Sequence, residues 1–418
     1  MWFYVIGILR ARQIAEAENK QIPRGNLSDL YPRWLGAREL LLHRRNPYSR
    51  EVTLEIQEGY YGRRLDPSRP NDPKDQQAFS YPVYVVFLLA PLVGLPFRVV
   101  LIGFYWLLVL LTGASVWWWL RMLRWRLPLM TVAACAVLTL GSFPAVQGIK
   151  LQQLSLLVAA LLAGSAACVA NRFLFCGGAL LALATIKPQL AWPLVAWFGL
   201  WALSDWRLRR RLVFGFGLVM ALLLAAAEIV LPRWWLLFAE ALRQYHQYTQ
   251  NQSVIEVMLR NWIPGLAGGS TDRIGAQILA AIAVLACGML LWKLRRKPAD
   301  APEFGRATAL ALALTVLIVP MYAPYNQVLL LPAILLLVRE RAAWISRSLA
   351  GRSAYLIGAF VLAWQWMASL TLSAGYFAIS RPWALERWTW PFFTTFALPV
   401  WVFVLIAFHV QKQIAQNA

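Results

Sequence analysis

The chemistry of this chain rests on a few charged residues set against apolar sequence. Asp29 follows a turn-like Pro23–Ser28 approach, Lys150 lies inside a Gln-Gly-Ile-Lys-Leu-Gln-Gln run, and Lys187 immediately precedes Pro188. A lone lysine at membrane depth costs several kcal/mol unless it meets water, a partner or an anion. A carboxylate beside a bound hydroxyl can remove its proton as a general base. Lysine charge can stabilise a departing phosphate, whose negative charge grows as its bond breaks. Arg24, Arg33 and Arg260 add guanidinium groups, which match phosphate oxygens in a bidentate way. Together these residue types suit displacement of a phosphate by a hydroxyl. Each also has a plainer reading. An acid in the first turn of a helix is favoured by the helix dipole by about 0.3 to 1 kcal/mol, and lysines near a membrane snorkel to water.

The elements that must position these groups follow from composition. The chain is 60% hydrophobic, with 22 Trp in 418 residues and a mean hydropathy of +0.55. Several stretches run roughly 16 to 25 residues with few charges, the length a helix needs to cross about 30 Å of hydrocarbon at about 1.5 Å per residue. The fold class is therefore all-α, a polytopic helical membrane protein forming a single integral membrane domain over 1–418.

A net charge of +21 raises the question of nucleic acid, and its distribution answers it. Arg121, Arg124 and Arg126 form one cluster, and Arg207, Arg209, Arg210 and Arg211 a second. Lys293, Arg295, Arg296 and Lys297 form a third, and Arg339, Arg341, Arg347 and Arg352 a fourth. Each closes or opens an apolar segment, the mark of cytoplasmic helix ends. No nucleic-acid partner is expected.

With those clusters inside, the path is nearly forced. Met1 to Leu9 is too short to span and reads as the stub of a first crossing. Residues 10–82 form a long first outer loop, exempt from the positive-inside count by its length. The apolar run from Tyr81 to Leu120, broken by Pro91, Gly94 and Pro96, reads as a short interfacial helix leading into a full crossing. Crossings follow near 128–146, 151–170, 173–187, 188–204, 212–231, 272–292, 307–322, 325–338, 353–378 and 390–410. This gives about twelve crossings, with both termini cytoplasmic and a second large outer loop over 232–271. The outer face then receives 144–153, the Lys187–Pro188 corner, 232–273 and 321–327, which hold most of the unusual polar residues.

Within the first outer loop, Ser28 is placed to cap a helix over 29–43, with Leu30, Trp34, Ala37 and Leu41 at helical spacing; Asp29 then lies in its first turn. In the second loop, His246 lies between Tyr245 and Tyr248 as a candidate for phosphate or sugar, without a metal-ligand partner. Trp234, Trp235 and Trp262 suit sugar stacking or an interfacial aromatic belt. The four cysteines, at 135, 168, 176 and 287, all lie in apolar segments and read as free thiols. The phosphate-binding GxxxxGK[ST] pattern, HExxH and paired CxxC are missing from the sequence, which argues against ATP hydrolysis and zinc chemistry.

The order of these motifs resembles a known family. Asp29-Leu-Tyr31, Asn46-Pro-Tyr48, Tyr81-Pro82 leading into an apolar helix with Pro91, the Gln/Lys corner with Gln147 and Gln152, Lys187-Pro188, and Asn251-Gln-Ser253 look like the bacterial GT-C membrane glycosyltransferases. The nearest resemblance is to the polyprenyl-phosphate-mannose-dependent mannosyltransferases, glycosyltransferase family 87, and it covers essentially the whole chain. It implies inverting, metal-independent transfer of a hexose, mannose by family, with no cofactor. The donor would be a polyprenyl-phosphate sugar, the acceptor a lipid or glycan hydroxyl, and the location the outer face of the bacterial inner membrane. The family's acid in the first outer loop maps onto Asp29 as general base. Lys150, Lys187, Arg33 and Arg260 would hold the donor phosphate, and Tyr31, Tyr48, Tyr81, Gln147, Gln152, His246 and Asn251 would contact substrate. The chain departs from the paired-acid signature of some GT-C enzymes, since Leu30 and Tyr31 follow Asp29.

Two other classes fit parts of this pattern. A transporter or flippase for a lipid-linked sugar predicts internal repeats and a broken helix at midplane, whereas the polar residues here cluster on one side. A noncatalytic scaffold that keeps the fold is compatible with the short first helix.

Overall fold

The computed structural model describes residues 1–248, 252–262, 270–320, 322–346 and 348–416, and every regular element among them is helical. Five helical segments are long and apolar enough to cross a membrane: Phe97–Met122, Trp206–Val230, Arg273–Leu294, Leu349–Ala378 and Arg381–Gln416. A sixth crossing arises if Leu129–Leu140 and Phe143–Lys150 are one span bent by 61°. The protein is a polytopic helical membrane protein. Where twelve crossings were expected, several segments form shorter helices: Leu154–Ala170, Leu174–Ala184, Pro188–Leu203 and Pro302–Ile318. At about 1.5 Å per residue these reach at most about 25 Å, near or below the lower limit for a span.

The Phe97–Met122 helix shows how sequence sets orientation. Val100, Phe104, Leu108, Thr112, Ser115 and Trp119 recur every three or four residues and are buried, while Ile102, Trp106 and Leu110 on the opposite side are exposed. In a bilayer that exposed apolar stripe is the lipid face and the buried one the bundle face. Behind it, Leu154–Ala170 is almost wholly buried and rich in Ala, Gly and Ser. Small side chains let membrane helices approach closely, where packing and hydrogen bonds replace the hydrophobic drive. The Ser165 hydroxyl accordingly donates to the Gly177 carbonyl at 2.7 Å. The next pair is closer still: a Cβ on Gly178 would lie 2.0 Å from the Leu212 carbonyl oxygen, and one on Gly215 would lie 2.2 Å from that of Phe175.

The basic clusters gather at one end. Arg124 donates to the Ala170 carbonyl at 2.8 Å and Arg339 to that of Leu123 at 2.6 Å. Buried Arg209 donates to the carbonyls of Trp201, Arg295, Arg296 and Lys297 at 2.7 to 3.2 Å and stacks 4.1 Å from the Trp201 ring. These carbonyls belong to helix C-termini and the residues after them, which have no intrahelical partners.

The N-terminal segment is helical through Asn19. Tyr4, Val5, Ile8 and Leu9 pack against Phe143, Val146, Leu372 and Ala384, whereas Arg10–Asn19 buries nothing. Helices Tyr31–His43 and Arg50–Tyr61 follow and sit over the end of the bundle away from the basic clusters. Tyr31 meets Phe97 edge-on at 4.8 Å, and the Trp34 indole donates to the Leu92 carbonyl at 3.0 Å. The helix expected over 29–43 starts two residues later. The Asp29 amide is drawn to the Leu151 carbonyl at 2.9 Å, while the Ser28 hydroxyl accepts from the Leu30 amide at 3.3 Å. Asp29 thus stands in the approach turn rather than in the first helical turn.

Candidate active site

The turn that carries Asp29 is fixed by its neighbours. The amides of Gly25 and Leu27 donate to the Tyr60 carbonyl, and that of Asn26 to the Gly59 carbonyl, at 3.1 to 3.3 Å. Gly25 is required here, since a Cβ would lie 2.4 Å from the Gly59 carbonyl oxygen. The Asn26 side chain closes the turn by accepting from the Ser28 amide at 2.9 Å. Asp29 is then presented with both carboxylate oxygens held. Oδ1 accepts from the Tyr60 hydroxyl at 3.1 Å and Oδ2 from the Gln153 amide. These donors come from the Arg50–Tyr61 helix and from the corner after Lys150.

Arg33 lies one helical turn beyond Asp29 and donates to its backbone carbonyl at 2.8 Å, not to its carboxylate. Its guanidinium stacks 4.5 Å from the Tyr81 ring, and its Nε is shielded without a hydrogen-bond partner. Lys187 owes its position to the proline that follows, which biases the preceding residue toward extended backbone. It has φ −125° and ψ 78° where Leu174–Ala184 breaks into Pro188–Leu203. Its ammonium donates to the Ser155 hydroxyl at 2.6 Å and lies 5.3 Å from the Tyr325 ring. Only 8% of Lys187 is exposed, and no ion pair involves Lys187 or Arg33 among the described residues.

Asp29, Arg33, Tyr81, Lys187 and His246 border one cavity of about 350 Å³. Its wall also includes Asp75, Gln77, Gln153, Gln189, Tyr245 and Tyr325. Burial pushes the Asp29 carboxyl above the usual carboxylate range, opposed by the charge of Arg33 and by the hydrogen bonds from Gln153 and Tyr60. The Asp75 carboxyl is raised by burial as well. Three of the eight non-glycine residues with positive φ among the described residues lie close to this site. Leu27, Gln77 and Gln152 have φ of 51°, 55° and 51°, a left-handed region costly for residues other than glycine. They stand two residues before Asp29, two after Asp75 and one before Gln153.

The remaining described residues singled out in the sequence do not border this cavity. Lys150 ends the Phe143–Lys150 helix and donates to Gln13 at 3.3 Å. Gln147 lies half-buried on the same helix. Gln152 is buried with its amide folded back onto the Ile149 carbonyl at 3.1 Å, so its backbone turns the chain and its neighbour Gln153 reaches Asp29. The Tyr48 hydroxyl donates to the Tyr81 carbonyl at 2.6 Å, and Tyr31 packs on Gly59; both brace the loop. Arg260 is exposed on Val254–Trp262, and Asn251 lies outside the described residues.

The sequence reading missed Gln153, Tyr60, Asp75, Ser155 and Tyr325. Gln153 and Tyr325 lie inside the polar corners 144–153 and 321–327, so their segments were marked though the residues were not. Asp75 and Tyr60 carry no local signal, because only tertiary packing brings them to Asp29. In one cavity, a carboxylate can deprotonate a hydroxyl while two cations, neither in an ion pair among the described residues, receive a phosphate. The family model for glycosyltransferase family 87 matches residues 79–320, more than half of the chain. The chain belongs to glycosyltransferase family 87. The matched region of this family 87 protein carries Tyr81, Gln153, Lys187 and His246, while Asp29 precedes it. No curated protein and no solved structure matches the chain. Family and fold together make this a membrane-embedded glycosyltransferase.

Proposed function

We propose that this family 87 protein is a GT-C enzyme of the bacterial inner membrane that transfers a hexose, mannose by family resemblance, from a polyprenyl-phosphate donor to an acceptor hydroxyl at the outer face. The observation that carries this reading is the placement of Asp29, Lys187 and Arg33 around one cavity. Asp29 takes the proton of the acceptor hydroxyl as its oxygen bonds to the anomeric carbon. The bond from that carbon to the phosphate oxygen breaks on the opposite side, which inverts the configuration. Lys187 and Arg33 receive the charge that develops on the leaving polyprenyl phosphate. A carboxyl raised by burial is a stronger base than an ordinary one, and catalytic acids and bases are commonly tuned this way. Tyr245, Tyr325 and His246 supply the ring faces and polar edges suited to a sugar.

Asp75 is the competing base. Both of its oxygens accept from its near neighbour Gln77, at 2.9 Å each. Asp29 instead is held by donors from two distant elements, and it is Asp29 that feels the charge of Lys187. Transfer of labelled mannose from polyprenyl-phosphate-mannose, in membranes holding wild type, Asp29→Asn or Asp75→Asn, tests the assignment. General-base catalysis contributes about 10² to 10⁴ in rate, so Asp29→Asn should lose at least about a hundredfold and Asp75→Asn much less. The reverse ranking moves the base to Asp75. Transfer from a nucleotide sugar but not from the polyprenyl donor overturns the donor.

A further inference from the structure

Beside the cavity, on the other side of the Asp29 turn, lie three cations that make no ion pair among the described residues. Arg10 follows the Tyr4–Leu9 segment, Lys150 ends the Phe143–Lys150 helix, and Arg24 lies in the approach turn. The Lys150 ammonium donates to Gln13 at 3.3 Å, one turn after Arg10 on the same helix, and it feels the charge of both guanidiniums. Arg24 is held firmly: a Cβ on Gly62 would lie 2.7 Å from its carbonyl oxygen, and the next amide, Gly25, is bonded to Tyr60. Its Nη1 is shielded from solvent and has no hydrogen-bond partner. Glu16, on the same helix as Arg10, is taken by Lys20 at 2.6 Å. Like charges that feel one another repel, and an anion shared between them offsets that repulsion.

Topology does not require these charges. The four basic clusters that mark helix ends gather at the opposite end of the bundle, whereas Lys150 adjoins Leu151, whose carbonyl holds Asp29. The surroundings select the kind of anion. Phe3 and Ile6, on the helical segment leading to Arg10, are 37% and 50% exposed, so an apolar surface runs up to the charged group. We propose that Arg10, Arg24 and Lys150 bind the phosphate of an anionic membrane phospholipid, whose acyl chains lie along that surface, at a site separate from the Lys187 cavity. This site stands whether or not the chain transfers a sugar.

Native mass spectrometry of the full chain in detergent, titrated with phosphatidylglycerol, tests this directly. Wild type should hold one phosphatidylglycerol more tightly than the Arg24→Gln/Lys150→Gln double variant, by about tenfold or more, the scale of one lost charge-assisted hydrogen bond. Lys187→Gln should bind like wild type. Millimolar inorganic phosphate should leave the lipid in place; displacement by it would make free phosphate the ligand and overturn the lipid assignment. Equal binding by wild type and double variant, or loss only in Lys187→Gln, would also overturn it. Arg10→Gln, at an exposed position, gives the same reading if the double variant does not fold, and should itself weaken binding.

Discussion

The two ends of the bundle use cations in opposite ways. At the basic end, Arg209, Arg124 and Arg339 spend their donors on backbone carbonyls at helix ends, and Arg209 alone gathers four carbonyls and the Ser204 hydroxyl. At the cavity end, Lys187 meets the side chains of Ser155 and Tyr81 rather than backbone carbonyls, and Arg33 leaves its Nε without a partner. A satisfied buried cation ties helices together. An under-satisfied one favours an anion, since burying a charge without full pairing is unfavourable. The difference in partners thus separates structural arginines from the candidate machinery without reference to any family.

The strongest way to break this comparison is to remove one cation from each end. Lys187→Met should reduce sugar transfer by about 10²- to 10³-fold, the scale seen when a group stabilising developing negative charge is deleted. Its thermal unfolding midpoint should hold or rise, because a buried and poorly paired charge has been replaced by an apolar side chain. Arg209→Ala should do the opposite. Loss of its charge-assisted bonds should destabilise the fold by about 3 kcal/mol, the upper range for a bond to a charged group, while the folded fraction keeps its specific activity. Parallel melting curves and transfer rates on the two purified variants decide the matter. A Lys187 variant that melts early with normal activity would make that lysine a structural cation like Arg209.

How much of this was legible in the sequence depends on the range of the interaction involved. Composition and the basic clusters are local or periodic signals, and they identified a helical membrane bundle whose basic ends meet on one side. The corners 144–153, 187–188 and 321–327 were visible because polar residues interrupt apolar runs, and all three contribute to the cavity wall. Register within a corner was not legible. Gln152 and Gln153 are the same residue type, and only the left-handed turn at Gln152 decides which of them faces Asp29. Lys150 and Lys187 likewise look alike in sequence, yet a helix end turns one toward Gln13 and a proline break turns the other into the cavity. By length and composition five or six helices qualify as crossings, since hydropathy does not distinguish a span from a short apolar helix buried inside the bundle.

The finest test of the contrast lies in the carboxylate itself. Burial raises the Asp29 carboxyl, and the Gln153 amide partly offsets this by donating to the charged form. As the base must be ionised, the transfer rate should fall as pH drops through a value above the ordinary carboxylate range, and it should level off on the alkaline side. Gln153→Leu removes a donor that favours the ionised form, so the acid limb should move to still higher pH with little change in the plateau. Tyr60→Phe should act in the same direction through Oδ1. A pH–rate profile of each variant reads this without any dependence on expression level. A limb that moves downward would show that another group controls ionisation, and Asp75, held by Gln77 rather than Gln153, is the residue to which the profile would then point.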